Sequence, residues 1–272
     1  MRAPGPYDVR FEWGPAGAAA LAPSSSCLVI VDVLSFSTSV TVAAEAGTRV
    51  YPWWGSRHED AAGFARKHRA QLASGRRSGA PWSLSPAALR RAPFTPRLVL
   101  PSPNGSAICA AVATAAVAAG GAAAGSASPA AAGGGATVIA GCLRNAAAVG
   151  RFLRSRDASG PVTIIAAGER WPDGSLRPAL EDLLGAGAVL AAVGGALSPG
   201  ALSPGTLSPE AEAARGCYGA TADVAAAVGG SASGRELTEG GFGDDVAIAV
   251  EIDSCDLVPI LADGAFTAAI GR

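Results

Sequence analysis

The residues best placed to do chemistry in this 272-residue chain are acids, amides and glycines at the ends of apolar runs. Asp32 closes the run CLVIV. In open α/β sheets ligands bind just outside the carboxyl ends of strands, so a carboxylate there suits a hard cation or acid–base work. The plainer reading is that Asp32 caps a helix beginning near Ser37. Ser102, Pro103, Asn104, Gly105 and Ser106 follow the run RLVL and precede an Ala-rich stretch. Asn or Ser there can cap a helix, Gly lets a ligand approach backbone, and free N–H groups at a helix start attract phosphate or sulfonate. Gly141, Cys142, Leu143, Arg144 and Asn145 repeat that geometry after TVIAG. All three junctions are expected to open on one sheet edge.

Three more groups belong to this set. Glu169 and Arg170 follow VTIIAAG, and read either as an exposed charge pair or as groups that orient a substrate. Glu181 and Asp182 lie early in PALEDLLGAGAVLAAV, where the helix dipole favours acids. They could equally reach the cleft and share a divalent cation with Asp32. Asp244 and Asp245 open a strand-like segment, with Asp245 a further ligand candidate.

Other chemistries lack their residues. The two histidines, His58 and His68, would point about 80° apart on one helix and read as solvated. With no GxSxG elbow, Ser-His and Cys-His mechanisms are disfavoured. A second Asp two residues after Asp32, as haloacid-dehalogenase phosphatases require, is missing. No Walker A segment or strand-GxGxxG-helix setting argues for a nucleotide, and no CxxC pair argues for structural zinc.

Positioning these residues requires strands and helices in alternation. Residues 27–33, 48–53, 97–100, 137–141 and 162–167 are continuous apolar runs, as in a sheet covered on both faces. Residues 37–46, 59–70, 106–119, 145–155 and 178–193 read as helices between them. The expected fold is a three-layer α/β/α arrangement with a largely parallel or mixed sheet, in one domain over 1–272, with a division into two subdomains left open. The tail, 245–252 and 257–270, reads as further strands or mixed structure. Residues 120–135, almost all Ala, Gly, Ser and Pro, and the pentapeptide repeat at 195–209 read as low-complexity surface loops.

Composition narrows the class. Hydrophobic residues make up 49% of the chain and charged residues 16%, with a net charge of −1. That excludes intrinsic disorder and gives no basic patch for nucleic acid. Alanine alone is roughly a fifth or more of the chain, so the core must rest on a few Val/Ile/Leu-rich segments. Five cysteines, an odd number, do not suggest a disulfide scaffold. No membrane span or secretory leader is expected, so the chain reads as cytoplasmic with reduced thiols. Its oligomeric state is not legible, and a homo-oligomer stays open.

At these residues the chain resembles the ComB family, the 2-phosphosulfolactate phosphatases. Asp32, Val33 and Leu34 with Ser37, Thr38 and Ser39 look like the family's D-V-L-R-A-T-T. Ser102 to Ser106 look like its T-T-N-G-T, and Leu143, Arg144, Asn145 and Ala146 like its N-A helix start. Leu180, Glu181 and Asp182, with Ala186 and Gly187, look like its S-L-E-D-x-x-x-A-G. Asp245, Val258 and Pro259 fall where its C-terminal D and V-P would be. The resemblance implies a Mg²⁺-dependent phosphatase that removes phosphate from 2-phospho-3-sulfolactate, a step toward coenzyme M. Asp32, Glu181, Asp182 and Asp245 are then the candidate metal ligands, with Asp32 and Asp182 also the catalytic candidates. Ser35, Asn104, Gly105, Arg144 and Asn145 are the candidates to hold a small anionic substrate. Three positions depart from the pattern: Ser35 replaces its Arg, Arg76 its Glu and Leu84 its Asn. Arg76, Arg77 and Arg144 are the candidates to compensate. The alternative is a small-anion-binding protein, without catalysis, on the same scaffold. An interaction module built on the pentapeptides is weaker, because they lack PxxP spacing.

Overall fold

The computed structural model describes residues 7–55, 60–118, 136–156, 160–194 and 206–270. His58, residues 120–135 and most of 195–209 lie outside them.

The chain opens with β1 (Val9–Trp13), α1 (Gly14–Leu21), β2 (Cys27–Val31), α2 (Phe36–Glu45) and β3 (Arg49–Trp53). Then come α3 (Ala61–His68), β4 (Gln71–Leu72), α4 (Pro86–Arg91), β5 (Arg97–Pro101) and α5 (Gly105–Ala118). The middle holds β6 (Thr137–Gly141), α6 (Ala146–Ser155), β7 (Val162–Ala166), a small hairpin of β8 (Glu169–Arg170) and β9 (Leu176–Arg177), and α7 (Leu180–Val193). The remainder is α8 (Pro209–Ala220), α9 (Val224–Gly229), α10 (Ala232–Glu239), α11 (Gly243–Ala249), β10 (Leu257–Ala262) and β11 (Ala265–Ile270). Segment 245–252 is therefore not a strand, because Asp245 sits inside α11. The hairpin of β10 and β11 does match the strand reading of 257–270.

Among the described residues the main sheet has nine strands, in the order β1-β7-β2-β6-β10-β11-β3-β5-β4. β2 shows why it is covered twice. Cys27, Val29 and Val31 enter one core with Val149 of α6 and Leu184 and Val189 of α7. Leu28 and Ile30 enter the other with Val40 of α2 and Ile108 of α5. A strand buried on both faces cannot alternate polar and apolar, hence the unbroken CLVIV. The fold is three-layered, α/β/α. Small residues bring the outer helices close. A Cβ on Gly187 of α7 would come within 2.4 Å of the Ala214 carbonyl of α8. Part of the Ala/Gly excess is thus packing material.

The sheet is mixed in a way that corrects the single-edge expectation. β1, β7, β2 and β6 are mutually parallel. Antiparallel pairings then run from β6 to β10, β10 to β11 and β11 to β3, so β3 and β5 are reversed relative to β2. Twist offsets this. At roughly 20–25° per neighbour, five steps from β2 to β5 accumulate about 100–125°. The segment after β5 still reaches Asp32, through Gly105.

Candidate active site

Asp32 follows β2 and is 3% exposed. Its Oδ1 accepts from the Phe36 N–H at the start of α2 (3.0 Å), and its Oδ2 from the Gly105 N–H at the start of α5 (2.9 Å). One carboxylate thus caps two helices, so the capping reading of Asp32 holds. Burial pushes its pKa up to about 6; the two N–H bonds pull it down, and nearby Glu181 raises it.

Asp182 plays a parallel part. It is buried on α7, with Oδ1 accepting from Val33 N–H (2.7 Å) and Oδ2 from Gly168 N–H (2.8 Å). It ties the loop after β2 to the loop after β7. Burial, then Asp32 and Glu181, hold its pKa well above the carboxylate range. Glu181, 2% exposed, faces both aspartates electrostatically and has no hydrogen bond among the described residues.

Glu169, on β8, completes the group. Its Oε2 accepts from Asn104 Nδ2 at 2.9 Å. Burial and the negative charge of Asp32 raise its pKa to about 7, with the Asn104 bond opposing. Of its two readings, the exposed charge pair gives way, because Glu169 is half-buried against this acid group. Its signal in the sequence was position alone, at the end of a strand.

The remaining sequence candidates divide. Asn104 and Gly105 reach the cluster, but their N–H groups serve Glu169 and Asp32. The close approach at Gly105 is made by Phe36, since a Cβ there would lie 2.2 Å from the Phe36 ring. Ser35 Oγ accepts from Arg76 Nη2, so two of the three departures noted above touch. Asp245 is fully buried but turned to other partners: its Oδ1 accepts from Ser85 Oγ (2.6 Å) and Ala87 N–H (3.0 Å), and its Oδ2 faces Arg76 Nε at 2.9 Å.

Arg144 and Asn145 are not brought to the cluster. Arg144 pairs with Glu45 at 3.0 Å and Glu251 at 3.3 Å and donates to Thr41. Asn145 closes its own turn, accepting from Cys142 N–H and donating to the Ala140 and Leu257 carbonyls. These are structural ties, and they draw both residues out of the anion-binding set. His68 is not simply solvated, since it stacks on Tyr51 and Phe64 with ring centroids 4.5 and 4.4 Å apart.

The group as a whole is four crowded acids, Asp32, Glu169, Glu181 and Asp182, of which Asp32, Glu169 and Asp182 have raised pKa values. The family model for 2-phosphosulpholactate phosphatase matches residues 122–264. The chain belongs to this family. That stretch contains Glu169, Glu181, Asp182 and Asp245, while Asp32, Asn104 and Arg76 precede it. A search of curated proteins found no match. No helix among the described residues is long and apolar enough to cross a membrane.

The family resemblance implies magnesium, and the donor set bears on its fit. Buried carboxylates with raised pKa values are hard oxygen ligands that a divalent cation would relieve. Yet no three Asp, Glu, His or Cys groups among the described residues are arranged to hold a metal ion. The two facts agree for magnesium, which commonly takes one or two carboxylates and fills its octahedron with water and substrate phosphate. Asp32 and Glu181 fit that lesser demand. Asp245, paired with Arg76, does not.

Proposed function

We propose that this chain is a Mg²⁺-dependent phosphoric monoester hydrolase that converts 2-phospho-3-sulfolactate to 3-sulfolactate and phosphate, in the cytoplasm, as a step toward coenzyme M. The observation that carries the reading is the four-acid group beside β2 and β7, in a member of a phosphatase family. All five cysteines are free thiols, which suits a reducing compartment.

Glu169 is the proton carrier. With a pKa of about 7 it is protonated in a large fraction of molecules at neutral pH, as a general acid should be. It gives its proton to the ester oxygen as the P–O bond breaks, and regains one from the water that bonds to phosphorus. Asn104 holds its carboxyl in place. Asp182 fixes the two loops that frame the site, and Asp32 anchors the starts of α2 and α5 against it. Asp32 and Glu181 are the residues that would hold magnesium, which when bound supplies positive charge to the phosphoryl oxygens.

A second reading, a binding protein without catalysis, is favoured by one observation: Asn104, Gly105 and Ser35 are already bonded to residues of the site. A panel of small phosphate esters, including 2-phospho-3-sulfolactate and an aryl phosphate, assayed with and without Mg²⁺, decides between them. Magnesium-dependent phosphate release supports the enzyme. Substrate binding without release supports the alternative.

A further inference from the structure

A cavity of about 490 Å³ lies beside the acid group, in the size range of small-molecule sites. Leu34, Arg76, Arg77, Glu169, Leu237 and Phe242 line it, with Ser233 and Glu236 of α10. Glu169 therefore faces both the acid cluster and this space. The cavity's two cations differ. Arg77 is exposed, whereas the Arg76 side chain is 18% exposed and held from several sides.

The way Arg76 is held leaves it able to bind. Asp245, fully buried on α11, faces its Nε at 2.9 Å as an ion pair without an aligned hydrogen bond. Asp245 is itself fixed by Ser85 Oγ and Ala87 N–H. The guanidinium lies over the Phe242 ring, 5.4 Å from its centroid, and Nη2 reaches Ser35. Nη1 donates to no atom of the described residues. The result is a partly desolvated, planar cation, aimed by a buried carboxylate, with donors left over at the wall of a small cavity. Such a fork suits a carboxylate or sulfonate better than an ammonium would.

The charge layout says which end of a ligand it would meet. Glu169 joins one wall of the cavity to the carboxyl groups of Asp32, Glu181 and Asp182, so a phosphate on that side depends on a cation. An acidic group at the ligand's other end needs a fixed positive charge, and Arg76 is the half-buried one lining the cavity. We propose that Arg76, aimed by Asp245, binds the second acidic group of the substrate and so selects phosphate esters carrying a further carboxylate or sulfonate over simple ones. This rests on the phosphatase reading for the word substrate, but not for the binding itself. Asp245 is then a positioning residue and not a metal ligand.

Calorimetric titration with 3-sulfolactate, a dianion without phosphate, tests this directly. Inorganic phosphate with Mg²⁺ serves as the control ligand. Arg76→Gln should weaken 3-sulfolactate binding tenfold or more and change phosphate binding less than about twofold, with Arg76→Lys in between. Arg76→Gln leaves Asp245 buried without its cation, so the double variant Arg76→Gln/Asp245→Asn, which neutralises both, guards against misfolding. Asp245→Asn alone should weaken 3-sulfolactate binding by a smaller factor than Arg76→Gln. The inference is overturned if the wild type does not bind 3-sulfolactate, if the folded double variant binds it as tightly as wild type, or if both ligands weaken equally. If Arg76-dependent binding is found in a protein that releases no phosphate, the inference stands and the phosphatase reading falls.

Discussion

Replacing Glu169 by Gln should remove a pH-dependent weakness from the protein. The wild-type carboxyl has an ordinary pKa of 4.5 and is raised by burial and Asp32 to about 7. A raised carboxyl binds its proton more tightly folded than unfolded. Its contribution is therefore fully present below about pH 4.5 and is lost as pH climbs to about 7. At 1.36 kcal/mol per pH unit, that interval corresponds to about 3 kcal/mol, an upper figure because part of Glu169 meets water. Gln keeps an oxygen for Asn104 Nδ2 and has nothing to ionise, so the loss disappears. Urea unfolding of both proteins in chelator, from about pH 5 to about pH 8, reads the difference. The gap between Glu169→Gln and wild type should swing by about 2–3 kcal/mol in favour of the variant as pH rises. Parallel profiles would refute the reasoning, because Glu169 would then titrate as an ordinary exposed acid. A swing of opposite sign would mean that a cation, not burial, governs its proton.

Mg²⁺ should raise the unfolding temperature more at about pH 8 than at about pH 5, since Asp32, whose pKa burial pushes up to about 6, is ionised mainly at the higher pH; an equal shift at both would remove Asp32 as a ligand. Arg144→Ala should cost about 2–3 kcal/mol in denaturant unfolding and leave binding of small anions unchanged. Glu45 and Glu251 stay partly in water and can rehydrate, which keeps the loss below that of a fully buried pair. Gly105→Ala places a Cβ 2.2 Å from the buried Phe36 ring, and should cost about 1–3 kcal/mol while pulling the Gly105 N–H off Asp32; an unperturbed variant would show that the start of α5 can shift freely.

The sequence carried much of the frame because its signals were local. Unbroken apolar runs marked β2, β3, β5, β6 and β7 to within about two residues, for a strand packed on both faces leaves no room for polar alternation. β1 was missed because VRFEW alternates with charge at a margin of the sheet, where its neighbour is β7 alone. α8, α9 and α10 each begin with a side-chain cap, Ser208, Asp223 and Ser231, a signal that could have revealed them. Within the site, Asp32, Glu181 and Asp182 were legible by their place at strand and helix ends. Arg144 and Asn145 have the same local signature, and only tertiary contacts with Glu45, Glu251 and Leu257 separate them from the site. Arg76 stood out only as a departure from the family pattern and a candidate to compensate for Ser35, and its setting was not legible, because it depends on Asp245, 169 residues further along the chain. Strand direction was equally out of reach, because the reversal is made by a hairpin formed last in the chain.

The most direct measurement is phosphate release from 2-phospho-3-sulfolactate in the presence of Mg²⁺, comparing wild type with Asp32→Asn. An Asn can accept only one of the two N–H groups that Asp32 caps, so a stability loss of about 1–2 kcal/mol is expected in a protein that still folds. Wild type should release phosphate in a reaction that chelator abolishes, and the folded variant should release it at least a hundredfold more slowly. Release that survives Asp32→Asn undiminished would contradict this, and so would a wild type that binds the ester and never cleaves it.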